Sequence, residues 1–144
     1  MKYKTEVTID LPREQVIALF DNSENMAKWQ DGFISMEHIS GEPGQPGAIS
    51  ELKYDMRGRK VEMKETIESN NLPNEMTFIF EVDNVWNRHE NYFYEESGQT
   101  RWVTDTEFRC TGLMMRTMIF LMPGMFKRET LKQMNAFKAF AESA

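Results

Sequence analysis

With 144 residues, of which 40% are hydrophobic, the chain can form one domain with a substantial core, since domains of this size bury about 68–70% of their unfolded surface. Its formal net charge of -6 argues against a nucleic-acid partner, because nucleic-acid-binding surfaces concentrate positive charge. The single cysteine, Cys110, excludes an internal disulfide and a cysteine cluster for zinc, so we expect a cytoplasmic protein without a metal or other cofactor.

The first predicted elements are one strand and two short helices. Tyr3, Thr5, Val7 and Ile9 alternate with polar residues, which is typical of a strand with one buried face. Pro12 then suits the first turn of a short helix that ends near Phe20, and a second short helix is expected at residues 24–29. Neither a signal peptide, a repeat nor a linker is visible, so we expect a single domain over residues 1–144 without a transmembrane segment.

Six further strands are predicted after these helices. Their approximate ranges are 34–40, 49–56, 61–67, 76–82, 85–95 and 100–110. Glu65 falls on the apolar face of its strand, beside Met63 and Ile67. Short, turn-rich connections join successive strands, which predicts an antiparallel sheet.

The inward face of the strand at 85–95 depends on the following turn, because a one-residue slip moves every side chain to the other face. A two-residue turn at Ser97-Gly98 would set Phe93 opposite Trp102 and Asn91 opposite Thr104. The inward residues would then be Asn87, His89, Asn91 and Phe93. A four-residue loop would instead turn the other face inward, with Trp86, Arg88, Glu90, Tyr92 and Tyr94. Burying the charge pair of Arg88 and Glu90 would cost more. We therefore favour the two-residue turn.

The C-terminal residues 113–142 predict one long helix with a break at Pro123-Gly124. Beyond the break the helix buries one stripe, whereas the part before it is apolar almost all round and too short to span a bilayer. We expect protein or ligand to cover that part. The predicted class is α+β: a curved antiparallel sheet of about seven strands gripping a long kinked C-terminal helix, with two short helices after the first strand.

Four local features accompany this element order. They are Pro12-x-x-x-Val16-x-x-x-Phe20-Asp21 followed by Trp29, the glycine-rich loop 41–47, Glu65-Thr66-Ile67 before Leu72-Pro73, and the segment 122–127. Together they resemble the START-like or SRPBCC superfamily, also called the helix-grip or Bet v 1-like fold, and its bacterial polyketide cyclase/dehydrase-like branch in particular. The resemblance implies an apolar cavity between sheet and helix that holds lipids, sterols, polyketides or hormones.

The candidate site residues each have a structural and a functional interpretation. Glu65 is either satisfied by a neighbouring group or serves as a ligand anchor and candidate catalytic base. Polar groups such as Asn87 and Asn91 could orient a ligand or satisfy one another, and the twelve methionines suit either an irregular core or an adaptable cavity. The candidate ligand-binding residues are Met56, Met63, Glu65, Phe78, Phe80, Asn87, Asn91, Trp102, Thr104, Met118 and Met122.

Three functions remain open. The first is binding of a small hydrophobic molecule, such as a lipid, polyketide or aromatic compound, for sequestration or transport. The second is a small cyclase, dehydratase or isomerase in which Glu65 moves a proton. The third is a protein-interaction module like a chaperone activator, for which an exposed apolar patch beside the helix break would be the sign. We expect a monomer or weak homodimer.

Overall fold

The computed structural model describes residues 1–144 and contains one seven-stranded antiparallel sheet. Its strands are β1 (Lys2–Ile9), β2 (Phe33–Ser40), β3 (Ile49–Met56), β4 (Arg59–Asn71), β5 (Glu75–Val82), β6 (Val85–Glu96) and β7 (Gln99–Cys110). The α-helices are α1 (Arg13–Phe20), α2 (Met26–Trp29), α3 (Leu113–Leu121) and α4 (Met125–Ser143). The strand order β1-β7-β6-β5-β4-β3-β2 makes β2 to β7 a run of hairpins, with β1 beside β7. The predicted α+β class and strand number are confirmed.

The turn between β6 and β7 sets the register that we favoured from the sequence. Ser97 and Gly98 both have positive φ, 53° and 80°, as a two-residue hairpin turn that follows the sheet twist requires. Phe93 is consequently paired with Trp102, and Asn91 with Thr104. This part of the prediction is confirmed.

The hydrophobic core lies at the end of the sheet where Phe93 and Trp102 are paired. Phe137 and Met134 of α4 are almost fully buried against this end. The ring of Phe20, at the end of α1, lies 5.1 Å from Phe93 and 5.6 Å from Trp102 between centroids. A bulge in β4, between Ile67 and Ser69, interrupts regular pairing with β5 and favours local bending of the sheet. The core therefore occupies one end of the sheet, and the other end is left for a site.

The predicted long C-terminal helix is two helices. Met122 has φ -133° and ψ 64°, outside the helical region, because the following proline disfavours helical geometry in the residue before it. α4 packs along β1, whereas no strand or helix makes an extensive contact with α3. Leu113 and Phe120 of α3 are 82% and 84% exposed, so no other part of the chain covers this apolar segment.

Candidate functional site

A cavity of about 760 Å³ lies between the inward face of the sheet and α4. Strands β2 to β7 contribute its floor and walls. Trp29 closes it from α2, while Phe126, Thr130 and Met134 line it from α4. Ligand-binding pockets commonly have volumes of about 300–1,000 Å³ and mostly apolar linings with a few polar groups, and this cavity fits that description.

The structure brings together most of the residues that the sequence singled out. Those that line the cavity are Met56, Met63, Glu65, Phe78, Phe80, Asn87, Asn91, Trp102 and Thr104. Met118 and Met122 do not line it. Met118 lies on α3, and Met122 lies in the turn after it with its side chain half-exposed. Neither reaches the cavity, because the break at Pro123 separates α3 from the helix that faces the sheet.

Three polar side chains of the cavity lie in one row across the sheet. Ser50 of β3 is paired with Glu65 of β4, Glu65 with Phe80 of β5, and Phe80 with Asn87 of β6. Directly paired residues are about 5 Å apart, and the spacing of neighbouring strands places Glu65 and Asn87 roughly 10 Å apart. The row therefore offers polar groups at two positions separated by the aromatic ring of Phe80.

The side chains of Ser50, Glu65 and Asn87 make no hydrogen bond within the protein, although each residue is buried, at 5–7% exposure. No fully enclosed side-chain nitrogen or oxygen atom in the structure lacks a partner, so the free polar atoms of this row open onto the cavity. Polar atoms that open onto a cavity and have no partner in the protein are free to form hydrogen bonds with its contents. Such a row is consequently suited to form hydrogen bonds with a molecule in the cavity.

Glu65 has the most perturbed carboxyl group in the cavity. Burial raises its pKa from 4.5 to about 7, because the cavity disfavours the charged form and no basic partner compensates. Tyr54, which also lines the cavity, donates a hydrogen bond to Gln30 Oε1 at 2.7 Å, and burial together with the charge of Glu65 raises its pKa. Near neutral pH Glu65 is present both as a hydrogen-bond donor and as an acceptor.

Asn91, in contrast, is engaged with its neighbours. Its Oδ1 accepts hydrogen bonds from Trp102 Nε1 at 3.0 Å and from Thr104 Oγ1 at 2.9 Å, while its Nδ2 donates to the Met76 carbonyl at 3.2 Å. This network joins β5, β6 and β7 at the boundary between core and cavity. The alternative that these polar groups satisfy one another applies to Asn91 and Thr104, but not to Asn87.

His89 lies between the two asparagines on β6 and is half-buried. Its Nδ1 lies 3.2 Å from Thr106 Oγ1, and burial lowers its pKa to about 4, so the ring is neutral at physiological pH. Its ring also packs edge-on against Phe80, with centroids 5.5 Å apart. No group of three His, Cys, Asp or Glu side chains is arranged to hold a metal ion.

Ser50 and Tyr54 are among the polar cavity residues that sequence reasoning missed. Both have the same two-residue alternation as Leu52, which is fully buried, so their inward orientation was readable from the strand pattern. The pairing of Ser50 with Glu65 was not readable, because it depends on the register of β3 against β4.

The sheet wrapped around α4, with a cavity between them, defines an α+β helix-grip protein. The chain belongs to the family described as "Polyketide cyclase / dehydrase and lipid transport", whose profile matches residues 1–142. No curated protein sequence matches the chain significantly. None of the helices is both long and apolar enough to cross a membrane.

Solved structures of low sequence identity share this fold. The protein TTHA0849 from Thermus thermophilus is 18% identical with a TM-score of 0.80, covering 99% of this chain and 98% of that one. The Zhui aromatase/cyclase from Streptomyces sp. R1128 is 13% identical with a TM-score of 0.77, covering 99% and 93%. A START superfamily protein from Mycobacterium smegmatis is 12% identical with a TM-score of 0.75, covering 99% and 97%. The expected START-like, Bet v 1-like fold is confirmed.

Proposed function

We propose that the protein binds a small hydrophobic molecule in its cavity, for sequestration or transport, and holds the polar groups of that molecule with Ser50, Glu65 and Asn87. The observation that carries the proposal is the row of buried, unpaired polar side chains on an otherwise largely apolar wall. Membership of a family described by polyketide cyclases and lipid transport supports a hydrophobic ligand.

The row also limits the chemistry of the ligand. Ser50 and protonated Glu65 can donate hydrogen bonds to a carbonyl or hydroxyl oxygen, and Asn87 can donate to or accept from a second polar group. Phe80, between Glu65 and Asn87, provides an apolar surface for the part of the ligand that joins the two groups. A lipid, polyketide or aromatic compound with two oxygen functions joined by an apolar segment fits this arrangement.

Mass spectrometry of the native protein would identify any compound that co-purifies with it. A fluorescent fatty-acid probe, an alkyl chain with a terminal carboxyl, tests binding directly by titration. Wild type should bind it saturably at one site. A single carboxyl reaches only one end of the row, so either Glu65→Leu or Asn87→Leu should weaken binding of the fatty acid about tenfold, because it removes one hydrogen bond to the probe.

The matched control is Asn135→Leu, which changes an exposed asparagine on α4 and should leave binding unaltered. Absence of saturable binding by any apolar probe, together with no co-purified compound, would contradict the proposed binding function. Saturable binding that both Glu65→Leu and Asn87→Leu leave unchanged would contradict only the role of the polar row.

A second candidate is a small cyclase, dehydratase or isomerase that acts on such a ligand. The observation in its favour is the pKa of Glu65, about 7, because general acid–base catalysis is most efficient when the pKa of the group is near the working pH. The similarity of fold to an aromatase/cyclase is compatible with it. Incubating the protein with its co-purified compound distinguishes the two functions: conversion that Glu65→Gln abolishes supports catalysis, and unchanged compound supports a carrier.

A further inference from the structure

Helix α3 presents an apolar surface that no part of the protein covers. Leu113, Met114, Phe120 and Leu121 are each at least 69% exposed, and none of the nine residues of the helix is buried. A contiguous exposed apolar surface on a folded protein commonly marks a site of interaction. The cavity does not explain this surface, because no residue of α3 lines it.

The distribution of side chains around α3 indicates the kind of partner. Arg116 and Thr117 are its only polar residues, and they adjoin one another, so apolar side chains cover most of the circumference. A helix that binds in a protein groove is usually apolar along one stripe only. Thr117 Oγ1 donates a hydrogen bond to the Leu113 carbonyl at 2.9 Å, so this hydroxyl is already satisfied within the helix and enters an apolar medium at reduced cost.

The charge around α3 differs in sign from that of the whole chain. Residues 111–128 include Arg116, Lys127 and Arg128 but no Asp or Glu, whereas the chain carries a net charge of -6. All three basic side chains are exposed, and none of them forms an ion pair within the protein. A second copy of this chain would bring the same positive charges together across a symmetric interface, which disfavours self-association through α3. An anionic surface complements them.

We propose that α3 docks the protein on a membrane surface that contains anionic lipids. Leu113, Phe120 and Leu121 insert among the lipid chains close to the headgroups, and the basic side chains contact lipid phosphates. A nine-residue helix is about 14 Å long, less than half of the hydrocarbon thickness of about 30 Å, so α3 lies in the interface.

Docking through α3 would also bring the cavity close to the lipid. Phe126, five residues after the end of α3, lines the cavity and packs on Phe108 with ring centroids 4.6 Å apart. The side of the cavity formed by the start of α4 would therefore lie near the bilayer. The proposal itself holds whichever molecule the cavity binds.

Flotation of the full-length protein with vesicles tests the proposal. Wild type should float with vesicles of phosphatidylcholine and phosphatidylglycerol, and much less with phosphatidylcholine alone. The double variant Phe120→Glu/Leu121→Glu should reduce partitioning about a hundredfold or more, because two apolar side chains lose their burial. Replacing Arg116, Lys127 and Arg128 with Gln should reduce it roughly fivefold per residue and weaken its dependence on salt.

The matched control is Ile34→Glu/Ile39→Glu, which places the same two charges at exposed apolar positions of β2, where Ile34 is 49% and Ile39 54% exposed. This variant should float like wild type. Since every substituted side chain is exposed, thermal unfolding should show that all variants fold. Absence of flotation, equal flotation with both vesicle types, or flotation that Phe120→Glu/Leu121→Glu retains would overturn the proposal. The proposal would also be overturned if wild type formed a dimer or a complex with another protein that Phe120→Glu/Leu121→Glu disrupts, while neither wild type nor this variant binds vesicles.

Discussion

Asn87 and Asn91 lie four residues apart on the same face of β6, yet their surroundings give them different roles. Replacing Asn91 with Leu would leave the Trp102 N–H and the Thr104 hydroxyl buried without their acceptor. Each unpaired group costs about 1–3 kcal/mol, so we expect Asn91→Leu to lower the free energy of unfolding by about 3–5 kcal/mol. Asn87→Leu removes no hydrogen bond and should change it by less than about 1 kcal/mol.

Urea denaturation of the two variants, which carry the same substitution on the same strand, measures this difference. Equal losses of stability in both variants would contradict the conclusion that Asn91 stabilises the fold through its hydrogen bonds whereas Asn87 is free to bind a molecule in the cavity. The comparison also uses two residues that are almost equally buried, at 5% and 7% exposure, so a general cost of altering buried residues cannot produce the expected contrast.

Glu65 should make the stability of the protein depend on pH. Its pKa is higher in the folded protein, about 7, than the ordinary 4.5, so the folded state holds the proton more tightly than the unfolded state. The stabilisation from the protonated carboxyl is complete below pH 4.5 and is lost as the pH rises through 7. Full ionisation corresponds to a loss of about 3 kcal/mol.

Glu65→Gln removes this dependence. We therefore expect the free energy of unfolding of the variant, relative to wild type, to rise by about 3 kcal/mol between acid and mildly alkaline pH. His89, whose pKa is lowered to about 4, titrates in both proteins and cancels in the difference. If the difference in free energy of unfolding between variant and wild type stays constant over this pH range, the surroundings of Glu65 do not disfavour its ionised form.

At the scale of elements, the sequence predicted the strands well and α3 poorly, for a physical reason. Alternation and the turn at Ser97-Gly98 act locally, so they determined the register of β6 against β7. The apolar composition of 113–121 indicated burial, but composition does not say which surface covers a helix. The break was predicted from Pro123, whereas the separation of α3 from the sheet depends on the backbone geometry of Met122 and the packing of α4.

Pro123→Ala tests the cause of the break. The substitution removes the restriction on Met122 and restores a backbone N–H that can donate within a helix, so α3 and α4 should join into a continuous helix. Gly124 already has φ -82° and ψ -7°, close to helical values, and does not oppose this change. Cα chemical shifts of Met122 should move to helical values, whereas Pro46→Ala in the loop 41–47 should leave them unaltered. Unaltered shifts in Pro123→Ala would place the cause of the break in tertiary packing.

The whole molecule divides its concave face between a core and a cavity. Phe20, Phe93, Trp102 and Phe137 fill one end with contacting aromatic rings, and unpaired polar groups remain at the other. The sequence predicted which residues face inward, but not where the core stops, because that boundary depends on how α1 and α4 pack over the sheet. Ligand binding should therefore be coupled to the stability of the fold, since an occupant supplies contacts that the cavity end lacks.

A hydrophobic fluorescent probe should consequently raise the melting temperature. A ligand that binds only the folded state stabilises it by about 2.7 kcal/mol at a hundred times its Kd, which corresponds to roughly 5–10 °C for a domain of this size. Phe80→Glu places a charge on the cavity wall and should abolish the shift, measured against the variant's own unliganded melting temperature. Tyr94→Glu introduces the same charge where Tyr94 is 43% exposed and should retain the shift. An equal shift in melting temperature in both variants would mean that the probe binds outside the cavity, because Phe80 lines the cavity and Tyr94 does not.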